Sequence, residues 1–368
     1  MVQSDFKELF LTLVRLGINH QSIPGFNSQV SSDVDWIQLK SLADQHGLSA
    51  VVLDGLNTVQ GERLMVHSSM PQMLRLQWIG EVMQSYEQRY VQYEKAMWNL
   101  AGWYNQHGYK MMVLKGYACS LDWPNPKHRP CGDIDIWQFG QQREADTVLT
   151  NEKDLKIDTA HHHHTVFEWD GFSVENHYDF LNVYHHKSNV EMESILKELG
   201  NDDSHYVELN GEKVYLPSAN LHALFLLRHS MSNFASTGFQ LRQLLDWAFF
   251  VEKHYEEIDW EWLESQLEHF GMKKLYDVFN AICVEDLGFD VKLFLQVQFQ
   301  LQLKNRVLND ILTPEFSEKE SDGFISRAVF KYRRWKANAW KHELCFSDSL
   351  WSAFWSGVWG HLMKPGMI

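Results

Sequence analysis

Residues 129–137 read Arg129-Pro130-Cys131-Gly132-Asp133-Ile134-Asp135-Ile136-Trp137. In a strand alternate residues share a face, so this order predicts Ile134 and Ile136 in the core and Asp133 and Asp135 together on the opposite face. Two carboxylates on one face repel each other, and a divalent cation relieves the repulsion. Hard oxygen donors of this kind suit Mg²⁺ (or Mn²⁺), which keeps positions for water and phosphate. Gly132 allows a ligand to approach closely, although an Asp-x-Asp pair also occurs on plain solvated sheet faces. Upstream, Met111-Met112-Val113-Leu114 is an apolar run bounded by glycines, the mark of a buried strand. It ends in the turn Lys115-Gly116, and free N–H groups at the start of a helix over Tyr117 to Leu121 suit a phosphate.

Working outward, Val174-Glu175-Asn176-His177 places Glu175 and His177 on one strand face. If that strand lies beside Asp133 and Asp135, three carboxylates converge, as a two-metal phosphoryl or nucleotidyl transfer site requires. Glu168, on the partner strand, is the rival third ligand. Thr165–Trp169 and Phe172–Tyr178 form a hairpin through Asp170-Gly171, and Val207–Leu209 and Lys213–Leu216 form another through Asn210-Gly211. Residues 109–216 therefore read as a mixed α/β core between an N-terminal helical region, 1–108, and a C-terminal helical domain, 217–368. The first region carries helices around Phe6–Leu16 and Asp35–His46 and a long amphipathic helix from Pro71 to His107. In the last, Ser218 is the expected N-cap, followed by helices Leu221–Arg228, Phe239–Glu252, Trp260–His269 and Lys273–Cys283.

The 368-residue chain is 45% apolar and 14% aromatic, which excludes a mainly disordered protein. Its formal charge of -15 sets general nucleic-acid binding aside. Four cysteines form neither a zinc-ribbon nor a secreted-disulfide spacing. No leader pattern opens the chain, and no apolar run is long enough for a membrane span, so the expected setting is the cytoplasm, without a membrane partner.

Lys115-Gly116, then Arg129-Pro130-Cys131-Gly132-Asp133-Ile134-Asp135-Ile136, then Glu175-Asn176-His177 and Leu241-Arg242-Gln243-Leu244-Leu245-Asp246-Trp247 together resemble the uncharacterised nucleotidyltransferase family with a polymerase-beta-like fold. The resemblance spans most of the chain. It implies an α+β protein: a mixed-sheet nucleotidyltransferase-like core flanked by N- and C-terminal helical regions. It further implies that Asp133 and Asp135 bind metal, that Glu175 completes a catalytic triad, and that the Lys115-Gly116 turn with Ser120 faces nucleotide phosphates. The substrate would be an NTP and the acceptor a small molecule or macromolecule. In a helical domain lining the cleft, Arg242 would meet phosphate and Arg228 or His229 the acceptor.

The remaining candidates are weighed on their residue chemistry. Arg129, on the loop leading into the Asp133 strand, offers a guanidinium that matches two phosphate oxygens. His177, beside Glu175, would orient phosphate or substrate, or stand as a buried hydrogen-bonded histidine. Arg242 and Asp246 are four apart on one helix face, where an intrahelical ion pair accounts for both, and they are otherwise candidate substrate contacts. The run His161–His164 is expected on a solvated strand or loop, because adjacent strand histidines point to opposite faces. Basic residues from Arg327 to Lys341 interleave with tryptophans. Trp351, Trp355 and Trp359 recur every four residues, as on a buried helix face. These expectations describe a Mg²⁺-dependent nucleotidyltransferase. The alternatives are a nucleotide-binding or interaction module without turnover, and a toxin-type enzyme acting on a cellular target.

Overall fold

The computed structural model describes residues 3–19, 34–58, 70–184, 186–236, 238–294, 300–316, 323–353 and 355–356. His185, Trp359 and the rest of the chain beyond Ser356 lie outside the described residues. Six strands build one mixed sheet: β1 (Met112–Val113), β2 (Ile134–Trp137), β3 (His164–Trp169), β4 (Phe172–His177), β5 (Tyr206–Leu209) and β6 (Glu212–Tyr215). Their order is β3-β4-β2-β1-β6-β5. β2 runs parallel to β4 and antiparallel to β1, while β1 and β6 are parallel. The expected mixed α+β core flanked by helical regions is the architecture observed.

Turn chemistry explains both hairpins. Asp170 and Gly171 have φ of 48° and 82°, and Asn210 and Gly211 have φ of 51° and 84°. Two successive left-handed residues form the tight turn whose twist matches paired antiparallel strands, and Asp, Asn and Gly reach that region most readily.

The two sheet faces serve different cores. Met111, Val113, Ile134, Ile136, Phe172, Val174 and Val214 pack with Tyr90, Tyr93, Met97, Leu100 and Tyr104 of the helix Arg89–Gln106. The helix Gln142–Lys153, which the sequence reading had not identified, adds Ala145 and Leu149 to that layer. Met112, Leu114 and Trp137 turn the other way, into a second cluster that joins the N-terminal helices Gln3–Asn19, Trp36–Gln45 and Ser49–Thr58 to the C-terminal helices from Ala219 onward. The two helical regions, separate in sequence, thus share one core. Gly17 and Gly55 let the first and third of these helices touch: a Cβ on either would collide with the backbone oxygen of Val51 or Leu13.

The long helix after Pro71 forms as expected, Gln72–Glu81 and Arg89–Gln106, but a π-helical segment, Val82–Gln88, joins its halves. Ser218 occupies the N-cap of Ala219–Ala235 without making a side-chain cap bond, whereas Asp35 caps Trp36–Gln45 by accepting from Gln38 N–H. The tryptophan reading divides. Trp36, Trp78, Trp103, Trp123, Trp137 and Trp247 are buried, but Trp351 and Trp355 are each 63% exposed and do not form the buried face their spacing suggested. Four-residue spacing marks one side of a helix; whether another element covers that side is a tertiary matter. Among the described residues no helix is long and apolar enough to cross a membrane.

His128 ties the N-terminal helices to the loop ahead of β2. Its Nδ1 lies 2.5 Å from Asp54 Oδ2 and its Nε2 3.3 Å from Glu87 Oε1. Burial works against the charged ring, but the two carboxylates outweigh it and raise the pKa above its ordinary value. A raised histidine pKa contributes stability that is complete below the unfolded value of about 6.5 and is lost as pH rises through the higher folded value. His128→Gln should therefore destabilise the protein by about 1.5–3 kcal/mol at about pH 6 and by much less at about pH 9, read from urea unfolding. An equal loss at both pH values would contradict this charge linkage.

Candidate metal and nucleotide site

The site follows from strand register. Ile134 and Ile136 are fully buried on one face of β2, so Asp135 must project from the other. β4 lies beside β2 with Asp135 opposite Glu175 and Trp137 opposite His177. β3 pairs with β4 so that His164 stands opposite His177. Carboxylates and imidazoles from three strands therefore share one face, beneath the helix Ala219–Ala235.

Asp135 is the centre of this group. Its Oδ1 lies 2.6 Å from Lys115 Nζ and 3.0 Å from His177 Nε2, and it is 5% exposed. Burial alone would raise its pKa, but the Lys115 ammonium and the His177 ring outweigh burial and hold it well below the usual carboxylate range. The same contacts, with Glu175, raise Lys115 and His177 against the effect of their burial. Lys115 reaches this position from a strained backbone, φ 40° and ψ -120°. The Phe225 ring sits 5.7 Å from its ammonium.

Glu175 Oε2 lies 3.6 Å from His177 Nε2, and Glu175 Oε1 lies 3.7 Å from His164 Nε2. Its pKa is lowered, burial being outweighed by the neighbouring His177 ring and then by the charges of His164 and Lys115. Asp133 is exposed at the mouth of the site beside Gly132, where a Cβ would meet open space. Partial desolvation, then the charges of Asp135 and Glu175, raise its pKa. Tyr93 O–H donates to the Asp133 carbonyl at 2.9 Å, fixing the backbone that leads into β2. Glu168, the rival third ligand, lies near the other end of the hairpin, where it lines a surface depression of about 590 Å³ with Trp103 and Trp169.

Donor atoms of Asp135, Glu175 and His177 lie within 4.8 Å of one another, as do those of His163, His164 and His177. The first set combines two hard carboxylates with one imidazole and fits a divalent cation. The second was not expected. His163 precedes β3, so strand alternation does not turn its ring away, and its ring centroid is 5.5 Å from that of His177. Counting back from the Asp170-Gly171 turn, Trp169 pairs with Phe172 and hence His164 with His177; the turn type carried that signal.

Other expected contacts are engaged elsewhere. Arg129, read as a phosphate contact, is buried with Nε and Nη2 donating to Asp246 at 2.7 and 3.0 Å. Trp123 Nε1 also donates to Asp246, at 2.9 Å, so the expected Arg242–Asp246 ion pair is replaced. Arg242 donates instead to Gln240 Oε1 and to the Pro130 carbonyl. Ser120 is buried, its Oγ donating to the Tyr117 carbonyl and bonded to Tyr90. Gly116 opens a helix of five residues, Gly116–Ser120, against Tyr93. Arg228 is fully buried and donates to Ser188, Asn189 and the Cys345 carbonyl. His229 belongs to the neighbourhood of the cluster: burial first, then the Lys115 charge, pushes its pKa down to about 3, and Asp135 and His177 also act on it.

The family model described as "uncharacterised nucleotidyltransferase" matches residues 32–287, well over half of the chain. No curated protein matches. The crystal structure of an antigenic nucleotidyltransferase-like protein from Paracoccidioides brasiliensis is similar at 14% identity and a TM-score of 0.36, over 55% of this chain and 96% of that one.

Asp246 neutralises a buried guanidinium and joins the helix Leu241–His254 to the loop before β2. Asp246→Ala should cost about 3–5 kcal/mol in urea unfolding, because it strands the Arg129 charge. The double variant Arg129→Met with Asp246→Leu should lose clearly less. Equal losses would show that packing, rather than the uncompensated charge, sets the cost.

Proposed function

The chain belongs to the uncharacterised nucleotidyltransferase family, and on that premise we propose that it moves a nucleoside monophosphate group from an NTP to a hydroxyl of an acceptor in a metal-dependent reaction. The observation that carries the reading is the β2–β4 register, which sets Asp135 beside Glu175 with Asp133 at the solvent side. Asp133, Asp135 and Glu175 would hold Mg²⁺ or Mn²⁺. When bound, the ion would offset triphosphate charge and make the α-phosphorus more open to attack.

The chain's own groups have definite parts in this scheme. Lys115 carries a positive charge to the carboxylates from the turn after β1, where it would contact a phosphate oxygen. His177 holds Asp135 in place through the 3.0 Å contact. The acceptor oxygen forms a bond to the α-phosphorus, its proton passes to a carboxylate of the site, and the bond to pyrophosphate breaks as pyrophosphate leaves. Glu175 and Asp133 are the carboxylates with solvent access for that proton. His229 remains a candidate for the acceptor side and Arg242 for a phosphate, and a small-molecule or protein acceptor suits the charge of -15 better than a long polyanion.

The inward engagement of Arg129 and Ser120 favours a second reading, a nucleotide-binding module without turnover. Incubating the protein with each α-labelled NTP, Mg²⁺ or Mn²⁺, and cell extract separates the two. Transfer of label to an acceptor, falling to background in Asp135→Asn, is the expected result. Transfer that survives Asp135→Asn would remove the metal assignment, and nucleotide binding without transfer would select the module.

A further inference from the structure

We propose that His163, His164 and His177, with Glu175 as fourth donor, form a binding site for one divalent transition-metal cation of the zinc class. The site shares Glu175 with the carboxylates assigned to nucleotidyl transfer and adds three imidazoles to it, and its binding test does not depend on that reaction.

Hydrogen bonding at His177 is the first argument. Its Nδ1 lies 3.2 Å from the carbonyl oxygen of Asp179. A carbonyl can only accept, so Nδ1 carries a proton and Nε2 is left to interact with the cluster. That Nε2 faces Asp135 Oδ1 at 3.0 Å and Glu175 Oε2 at 3.6 Å, so with no ion bound it carries a proton toward two carboxylates, and a bound cation would take that proton's place. The anchoring of the remote ring nitrogen by a carbonyl is also what orients histidines that ligate metals.

The second argument is the placement of the other two rings. One ligand atom from each of His163, His164 and His177 lies within 4.8 Å of the others. Zinc–nitrogen bonds of about 2.0–2.1 Å require tetrahedral edges of about 3.4 Å, so modest ring movement closes the set. Nδ1 of His163 and of His164 is buried and meets no hydrogen-bond partner among the described residues. His164 is 7% exposed, and burying an unpaired polar atom there is costly unless it serves a ligand. Glu175 Oε1 lies 3.7 Å from His164 Nε2 and would move in as fourth donor when that nitrogen, rather than Nδ1, binds the ion.

Donor chemistry then selects the ion. Imidazole suits zinc, cobalt, nickel and copper, whereas Mg²⁺ favours oxygen and keeps its water. His177 has one nitrogen to give, so it cannot ligate two ions at once. Mg²⁺ loses little without it, and a zinc-class ion would retain the histidine.

The test titrates the intact 368-residue chain with Co²⁺ alone, following heat and visible absorption. One equivalent should bind, with the intense bands of a four-coordinate ion, and should persist in excess Mg²⁺. His163→Ala with His164→Ala should weaken binding by more than about 100-fold, beyond the loss typical of outer-sphere changes. His161→Ala with His162→Ala should retain it. Loss in the latter pair and retention in the former would assign binding to His161 and His162 and overturn the proposal, as would the absence of a 1:1 complex. Should the first double variant fail to fold, X-ray absorption of the wild-type Co²⁺ complex decides: a shell with histidine nitrogens supports the site, and an oxygen-only shell overturns it. Asp133→Asn separates the two assignments, since it should abolish label transfer while leaving Co²⁺ binding in place.

Discussion

Burial of Ile134, Ile136 and Val174 in the layer beneath the helix Arg89–Gln106 locks β2 and β4 in one register. A strand slipped by one residue would send these side chains to the opposite face and bring Asp135 and Glu175 into the apolar layer, where uncompensated carboxylates are very costly. The apolar contacts are therefore what force the two acids together. Lys115 and His177 make that concentration of charge tolerable, and the strained backbone at Lys115 is sustained because the surrounding structure requires its ammonium beside Asp135.

The rest of the molecule holds this sheet face in place. The helix Ala219–Ala235 covers it with Phe225 and His229, and the Arg129–Asp246 pair joins the next helix to the segment that leads into β2. His128 binds the same segment to Asp54 and Glu87. Charged groups that looked like ligand contacts thus act as struts. Arg129, Arg228 and Asp246 are each buried, and a buried charge needs a partner within the fold.

Much of the core was legible along the chain. The Asp170-Gly171 and Asn210-Gly211 turns marked both hairpins, and alternation in Ile134-Asp135-Ile136 marked a strand with Asp135 on the side opposite its isoleucines. The helices Ser49–Thr58, Gln142–Lys153 and Lys187–Leu199 went unread. The first is buried almost all round and lacks a polar stripe, while the second shows only Ala145 and Leu149 as buried positions. Periodicity is weak at both extremes. The exposure of Trp351 and Trp355 has the same root: spacing defines a helix face and does not supply a neighbour to cover it.

Period and turn type are local properties, set by backbone geometry over a few residues, and they were enough to place Asp135, Glu175 and His177 on strand faces, with Asp133 just ahead of β2. Which groups meet across those faces depends on pairings between distant segments. Parallel β2–β4 contact brought Glu175 to Asp135, a bend before β3 turned His163 toward His177, and helix docking delivered Asp246 to Arg129. The order of residues specified where chemistry-bearing side chains point. Packing of the layers chose their partners, because the energy of a buried charge depends on whichever group stands opposite it.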